Sequence, residues 1–221
     1  MPARPNADQP AAGGRAGQRW VAIEGSCCAG KTTLSRGLRS ALTGVSTSHV
    51  PCYADHVGGG RFLPRPVPQS VAEDQAALRT LLAIEADRVA KARAADTDLV
   101  VMDRSVHTLL AHRYALQRVT GLPCFEKARR VVARSQDPAW PDLVLYLDVT
   151  QQLILDRNRG KFPPDSIFID PAFNAGIRAY FAGITDSRDE QIVWLDAALD
   201  PGELVNLAAA CIGQRRTGLD V

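Results

Sequence analysis

The sequence predicts an α/β fold, a parallel sheet covered by helices on both faces. Three observations carry that reading. Short apolar runs alternate with helical patterns from Trp20 onward. The runs Leu99–Met102 and Leu143–Leu147 are apolar at every position, as strands buried on both faces are. A glycine-rich turn follows the first run and leads straight into a helix. The composition agrees: 221 residues, 46% hydrophobic and 23% charged, suit one globular domain with a substantial core.

Residues 1–19 hold three prolines and three glycines and lack hydrophobic periodicity, so they are expected to form a disordered tail ahead of a single domain over 20–215. No continuous apolar core of a signal peptide is present there. Trp20–Glu24 is the first strand, and a helix is expected from about Lys31 to Leu42. Ser48–Tyr53 reads as a second strand, followed by a 16-residue loop, Ala54–Gln69, with three glycines and three prolines. A loop of that length in a compact domain is more often functional than idle.

Ser70-Val-Ala-Glu73 has the form of a capping box, and Leu78, Leu81, Leu82 and Val89 continue at helical spacing to about Ala95. Leu99–Met102 is the third strand, with helices expected over Ser105–Thr120 and Phe125–Ser135. Leu143–Leu147 is the fourth strand; helices follow from Thr150 to about Arg159 and from Pro171 to about Ala182. Gln191–Leu195 is the fifth strand. The last helix starts with Asp200 as cap, Pro201 in the first turn and Glu203 three residues after the cap.

Gly25-Ser26-Cys27-Cys28-Ala29-Gly30-Lys31-Thr32 matches G-x-x-x-x-G-K-[ST] in full, with a strand before it and a helix after it. Its glycines let backbone amides converge on phosphate oxygens, and the helix N-terminus adds positive potential. Lys31 is expected at the β- and γ-phosphates of ATP, Thr32 on Mg2+, and Thr33 beside them in the cofactor site. Cys27 and Cys28 read as small residues tolerated where amides do the binding; a redox switch is the less favoured alternative. Glu24, at the strand end, reads equally as a group near the transferred phosphate or as a solvated carboxylate.

A second carboxylate is expected at the carboxyl end of a neighbouring strand. Asp103, after Leu99–Met102, is favoured over Asp148, for which a helix-start role is expected. Asp103 is thus expected at the metal or the acceptor, with Arg104 on the charge that develops in transfer.

These stretches together resemble the thymidylate kinase group within the P-loop nucleoside and nucleoside-monophosphate kinases. The likeness runs from Trp20 to about Ile212. It is carried by the phosphate loop, Leu81–Arg88, Val101–Ser105, Pro141–Asp148, Val193–Ala197 and Asp200–Val205. Glu24-Gly25 and Asp103-Arg104-Ser105 also resemble the deoxynucleoside kinases. The resemblance implies a P-loop kinase fold, a five-stranded parallel sheet in 2-3-1-4-5 order with a short lid at about 157–170. It implies an ATP- and Mg2+-dependent kinase of a nucleotide or nucleoside, and a homodimer. It also implies a lid role for Arg157 and Arg159, and an acceptor-phosphate role for Arg88.

This chain departs from the pattern in three places. Tyr53–Gly60 lacks the family's arginine and proline, leaving Asp55 as the acid of that segment. His112-Arg113 stands where the family has a glutamine that reads thymine, so both are expected in the acceptor site without its donor-plus-acceptor pairing. Asp165-Ser-Ile-Phe lacks the lid's usual arginine.

The partner implied is a small-molecule phosphate acceptor. A net charge of +2 gives no broad basic surface for nucleic acid, and no run approaches the roughly 18 apolar residues of a membrane span. Five cysteines without a C-x-x-C pair point to reduced thiols in the cytoplasm. Two other readings stand beside the nucleotide or nucleoside kinase. One is the same machinery acting on a hydroxyl of an antibiotic or other natural product; the other is a non-kinase nucleotide-binding switch.

Overall fold

The computed structural model describes residues 17–135, 138–184 and 191–214. Five parallel strands, β1 (Arg19–Gly25), β2 (Thr47–Val50), β3 (Leu99–Asp103), β4 (Leu143–Asp148) and β5 (Gln191–Asp196), form one sheet in the order β2-β3-β1-β4-β5. The expected tail falls for residues 1–16 outside the described residues. Arg19 does not belong to it: it opens β1 opposite Leu99, and the Gln18 amide donates to the Thr97 carbonyl at 2.9 Å.

Each central strand sends alternate residues into different cores, because successive side chains leave a strand on opposite faces. Val21 and Ile23 of β1, Leu99 and Val101 of β3, and Leu143, Leu145 and Leu147 of β4 lie in one core. That core is closed by α1 (Lys31–Ala41) through Leu34 and Leu38 and by α8 (Pro201–Gln214) through Leu204, Ala208 and Ile212. Val144 and Tyr146 of β4 face the opposite way, beneath α4 (Val106–Thr120), α5 (Phe125–Arg134) and α7 (Pro171–Ile184). Trp20, Val100 and Met102 meet α3 (Val71–Ala94) on that same side through Val89 and Ala92.

Two local expectations change. β2 stops at Val50 because Pro51 brings no N–H to a ladder, and Tyr53–His56 coil into a short helix, α2, rather than extending the strand. The capping box of α3 is displaced by one position. Ser70 Oγ accepts from Glu73 N, and the Glu73 carboxylate accepts from Gln69 N, the residue before the cap. The expected end of the domain at residue 215 lies outside the described residues. Among the described residues no helix is long and apolar enough to cross a membrane.

α4 and α7 approach until backbone meets backbone. A Cβ built on Gly176 would stand 2.7 Å from the Cα of Ala115 and 2.8 Å from its Cβ, so no side-chain adjustment can make room. Gly183, on the same helix, has nothing within 4 Å of such a Cβ. Gly176→Ala is expected to destabilise by about 1–3 kcal/mol through overpacking. Gly183→Ala should instead gain up to about 1 kcal/mol of helix propensity. Urea unfolding of the two variants checks the contrast; equal effects would contradict the α4–α7 packing.

Candidate active site

β1 lies between β3 and β4, with Ile23 opposite Asp103 and Gly25 opposite Leu147. This register sets the loop 25–32 beside the end of β3. Gly25 has φ +135°, and a Cβ there would lie 2.7 Å from the Leu147 carbonyl oxygen, so the loop can leave the sheet here only as glycine. Lys31, at the start of α1, is buried and folds back on its own loop. Its Nζ donates to the carbonyls of Gly25 at 2.9 Å and Ser26 at 2.5 Å. Burial, followed by the nearby Arg104 guanidinium, lowers its pKa to about 8. Ser26 and Ala29 are buried, Cys27, Cys28 and Gly30 half-buried, and Thr33 exposed on the first turn of α1.

Thr32 and Asp103 come together, the hydroxyl donating to Asp103 Oδ2 at 2.7 Å. Asp103 is buried, and its other oxygen, Oδ1, has no partner among the described residues. A buried carboxylate oxygen lacking a donor, beside a hydroxyl, fits a hard divalent cation such as Mg2+. Among the described residues no three His, Cys, Asp or Glu cluster as a protein-only cage. Mg2+ is usually held by one or two protein ligands together with phosphates and waters.

Glu24 is buried at the other corner of this junction. Its Oε1 accepts from the Ser105 amide at 2.8 Å and the Ser105 hydroxyl at 2.7 Å, and its Oε2 from Thr108 Oγ1 at 2.6 Å. The carboxylate therefore fixes the start of α4 against β1 and is not a solvated strand end. Between Asp103 and Ser105 sits Arg104 with φ +71°, a left-handed conformation rarely adopted away from glycine. Its Nη2 lies 3.6 Å from Cys27 Sγ.

A cavity of about 480 Å³ opens from this junction. Glu24, Gly25–Cys27, Thr32 and Arg104 line it, together with an apolar set, Leu81, Phe168, Phe173, Ile177 and Phe181. Asp55, His112 and Arg113, the residues expected at the acceptor, all line it. Their states differ. Asp55 is exposed, whereas the Arg113 guanidinium is held in a buried ion pair with Asp74 at 3.0 Å and donates to the Leu109 carbonyl. The His112 ring stands edge-on to Phe173, and burial with Arg113 alongside lowers its pKa to about 3, so it is neutral.

Arg88, expected on an acceptor phosphate, is a correction. It does not line the cavity and is 1% exposed. Its Nε donates to the Pro51 carbonyl, Nη1 pairs with Glu85, and Nη2 donates to the carbonyls of Asp103 and Arg104. The guanidinium is spent on the protein's own backbone. Asp148 is a second correction: Thr150 caps α6 (Gln151–Asn158), and Asp148 instead pairs with Arg178 at 2.9 Å.

The expected lid divides its cations. Arg157 leaves α6 to donate to Ala29 O in the phosphate loop at 3.3 Å and to Ala197 O beyond β5 at 2.9 Å. Arg159 is exposed at the helix end and does not line the cavity, whereas Lys161 does. Sequence reasoning missed Asp74, Ser105 and Thr108. Ser105 was visible as the close of the Asp103-Arg104-Ser105 stretch but without a site role, and Thr108 only as a hydroxyl three residues further on. Arg65, from the long loop, also lines the cavity.

No family model matches the chain. A curated relative from two strains of Halobacterium salinarum, a "Probable thymidylate kinase", is 28% identical over 199 residues, covering 87% of this chain and 94% of its own length. Among solved structures, a deoxyadenosine kinase from M. mycoides, described with dCMP and a flexible dCDP bound, superposes with a TM-score of 0.65 at 13% identity. That superposition covers 89% of this chain and 99% of that one. These likenesses support an enzyme of the P-loop kinase class, similar to thymidylate and nucleoside kinases.

The geometry at Lys31 predicts a pH dependence. Phosphate oxygens hold the ammonium charged, so below about pH 8, where it is already protonated, ATP affinity is expected to be flat. Above about pH 8 binding must take up a proton, and affinity should weaken toward about tenfold per pH unit. Calorimetry without metal in buffers of different ionisation enthalpy reads that proton; Lys31→Arg should remove the slope. The sign for stability follows from the same depression: the burial cost stands below pH 8 and lifts as pH rises toward 10.5.

Proposed function

We propose that this protein is an ATP- and Mg2+-dependent kinase that moves the γ-phosphate of ATP to a nucleoside or nucleotide. The observation that carries the reading is one continuous cavity lined both by phosphate-loop residues and by an apolar, aromatic set. The first suits a triphosphate and the second a planar base.

Lys31 would leave the Gly25 and Ser26 carbonyls for phosphate oxygens, and the loop amides would cradle the rest of the chain of phosphates. Thr32 and Asp103 would hold Mg2+, which when bound supplies positive charge at the phosphates. Arg104 would meet charge developing on the transferred group, with Arg157 and Lys161 adding cations from the α6 side. Asp55, His112 and Arg113 would face the acceptor.

One observation favours a neutral hydroxyl as acceptor, and hence a nucleoside: the Arg88 guanidinium is turned onto the protein's own backbone and does not line the cavity. A nucleoside monophosphate is the second reading. It is favoured by the curated relatives, named as thymidylate kinases, and by Arg65 and Lys161 on the cavity wall.

Magnesium-ATP consumption screened against nucleosides and nucleoside monophosphates tests both. Stimulation by one class, lost in Lys31→Ala, is expected; no stimulation by any member of either class would sink the proposal.

A further inference from the structure

We propose that Arg88 is a positioning residue: it holds the left-handed turn at Arg104 from which that guanidinium enters the phosphate end of the cavity. The proposal rests on the kinase reading for what Arg104 does there, but its structural half stands on geometry alone.

The turn 103–105 carries an uncommon conformation at Arg104, φ +71° on a residue with a Cβ, and such a conformation persists only where its surroundings over-determine it. The surroundings here are specific. Three successive carbonyls of the turn accept hydrogen bonds from two side chains. Asp103 O and Arg104 O accept from Arg88 Nη2 at 3.0 and 2.7 Å, and Ser105 O accepts from Tyr53 Oη at 3.0 Å. On the amide side, Arg104 N donates to Ile23 O at 3.1 Å, and Ser105 N donates to Glu24. With its backbone held at both edges, Arg104 sends its side chain toward Cys27 of the phosphate loop.

Arg88 is itself fixed from three directions. Its Nη1 pairs with Glu85, one turn earlier on α3, its Nε donates to Pro51 O at the end of β2, and its planar face lies 4.2 Å from the centre of the Tyr53 ring. A rigid fork of N–H donors can serve Pro51, Glu85, Asp103 and Arg104 together. A lysine, with one compact charged head, cannot span them. Because Arg88 does not line the cavity, a direct grip on the acceptor would require breaking this whole set of bonds.

The test is a double-mutant cycle of Arg88→Lys and Arg104→Ala, read in two ways. Equilibrium binding of inorganic tripolyphosphate reports the placement of Arg104 without turnover, and kcat and acceptor KM report its use. Arg88→Lys is expected to weaken tripolyphosphate binding and lower kcat by about tenfold, leaving acceptor KM within about twofold. In the Arg104→Ala background, Arg88→Lys should add almost nothing to either loss. Losses that multiply independently would overturn the proposal; so would a rise in acceptor KM at constant kcat, which would put Arg88 on the acceptor.

Should wild-type protein bind tripolyphosphate but transfer phosphate to no acceptor, the kinase reading fails while the binding cycle still decides the positioning role. Removing Arg88 altogether would bury Glu85 unpaired and threaten the fold. Tyr53→Phe therefore serves as the second variant, deleting the hydroxyl that donates to Ser105 O and stands beside Glu85 while leaving Arg88 and its ion pair in place. A smaller loss of the same sign is expected, again absent once Arg104 is alanine; a loss of equal size in both backgrounds would count against the proposal.

Discussion

The site depends on where β1 and β3 end relative to one another. In their parallel register Ile23 faces Asp103, so β3 ends two residues short of Gly25, the last residue of β1, and the turns that follow the two strands leave side by side. One turn becomes the loop that leads to Lys31 and Thr32; the other becomes Asp103-Arg104-Ser105. Thr32 to Asp103 and Glu24 to Ser105 are cross-links between these two turns. A slip of one residue in the β1–β3 pairing would send every side chain of one strand to the opposite face. Val21 and Ile23, which share a core with Val101, forbid it. The apolar alternation of two strands is thus what positions the polar chemistry at their ends.

The buried charges around this junction divide by whether the protein itself satisfies them. Arg113 has Asp74, and Arg88 has Glu85 together with backbone carbonyls. A buried ion pair of this kind adds little net stability but is costly to break, which makes both pairs fixed points rather than mobile contacts. Lys31 and Arg104 are different. Lys31 rests on two carbonyls of its own loop, and Arg104 approaches the Cys27 thiol, partners that do not neutralise a charge. The depressed pKa of Lys31 expresses that deficit, set first by burial and then by the nearby Arg104 guanidinium, and an anion brought there would relieve it.

Much of this was legible in the sequence for a physical reason. Strands buried on both faces must be apolar throughout, and a loop that wraps phosphate must have glycine where the backbone turns through positive φ, so β1, β3, β4 and the loop 25–32 announce themselves. Where the reading failed, the deciding contact was long-range or local in a way residue type hides. Pro51 ends β2, yet only the coordinates show Tyr53–His56 turning into a helix whose tyrosine reaches Ser105. The Asp74–Arg113 pair joins residues 39 positions apart, beyond any helical spacing.

Arg88 shows most clearly what a motif can and cannot carry. Its place at the end of an Asp-Arg pair on a helix suggests a cation for a phosphate, and nothing in the spacing says which way the guanidinium turns. The neighbouring signal was Glu85, three residues earlier and so on the same face, an acid that a solvated arginine would have no need to bury. Once the pair is buried, four of the five N–H donors of Arg88 face fixed acceptors and the group lies away from the cavity wall. Its only route to the chemistry is through the backbone it grips. The same fork that would recognise a phosphate recognises instead the carbonyls of Asp103 and Arg104, and the phosphate end of the cavity inherits its shape from that choice.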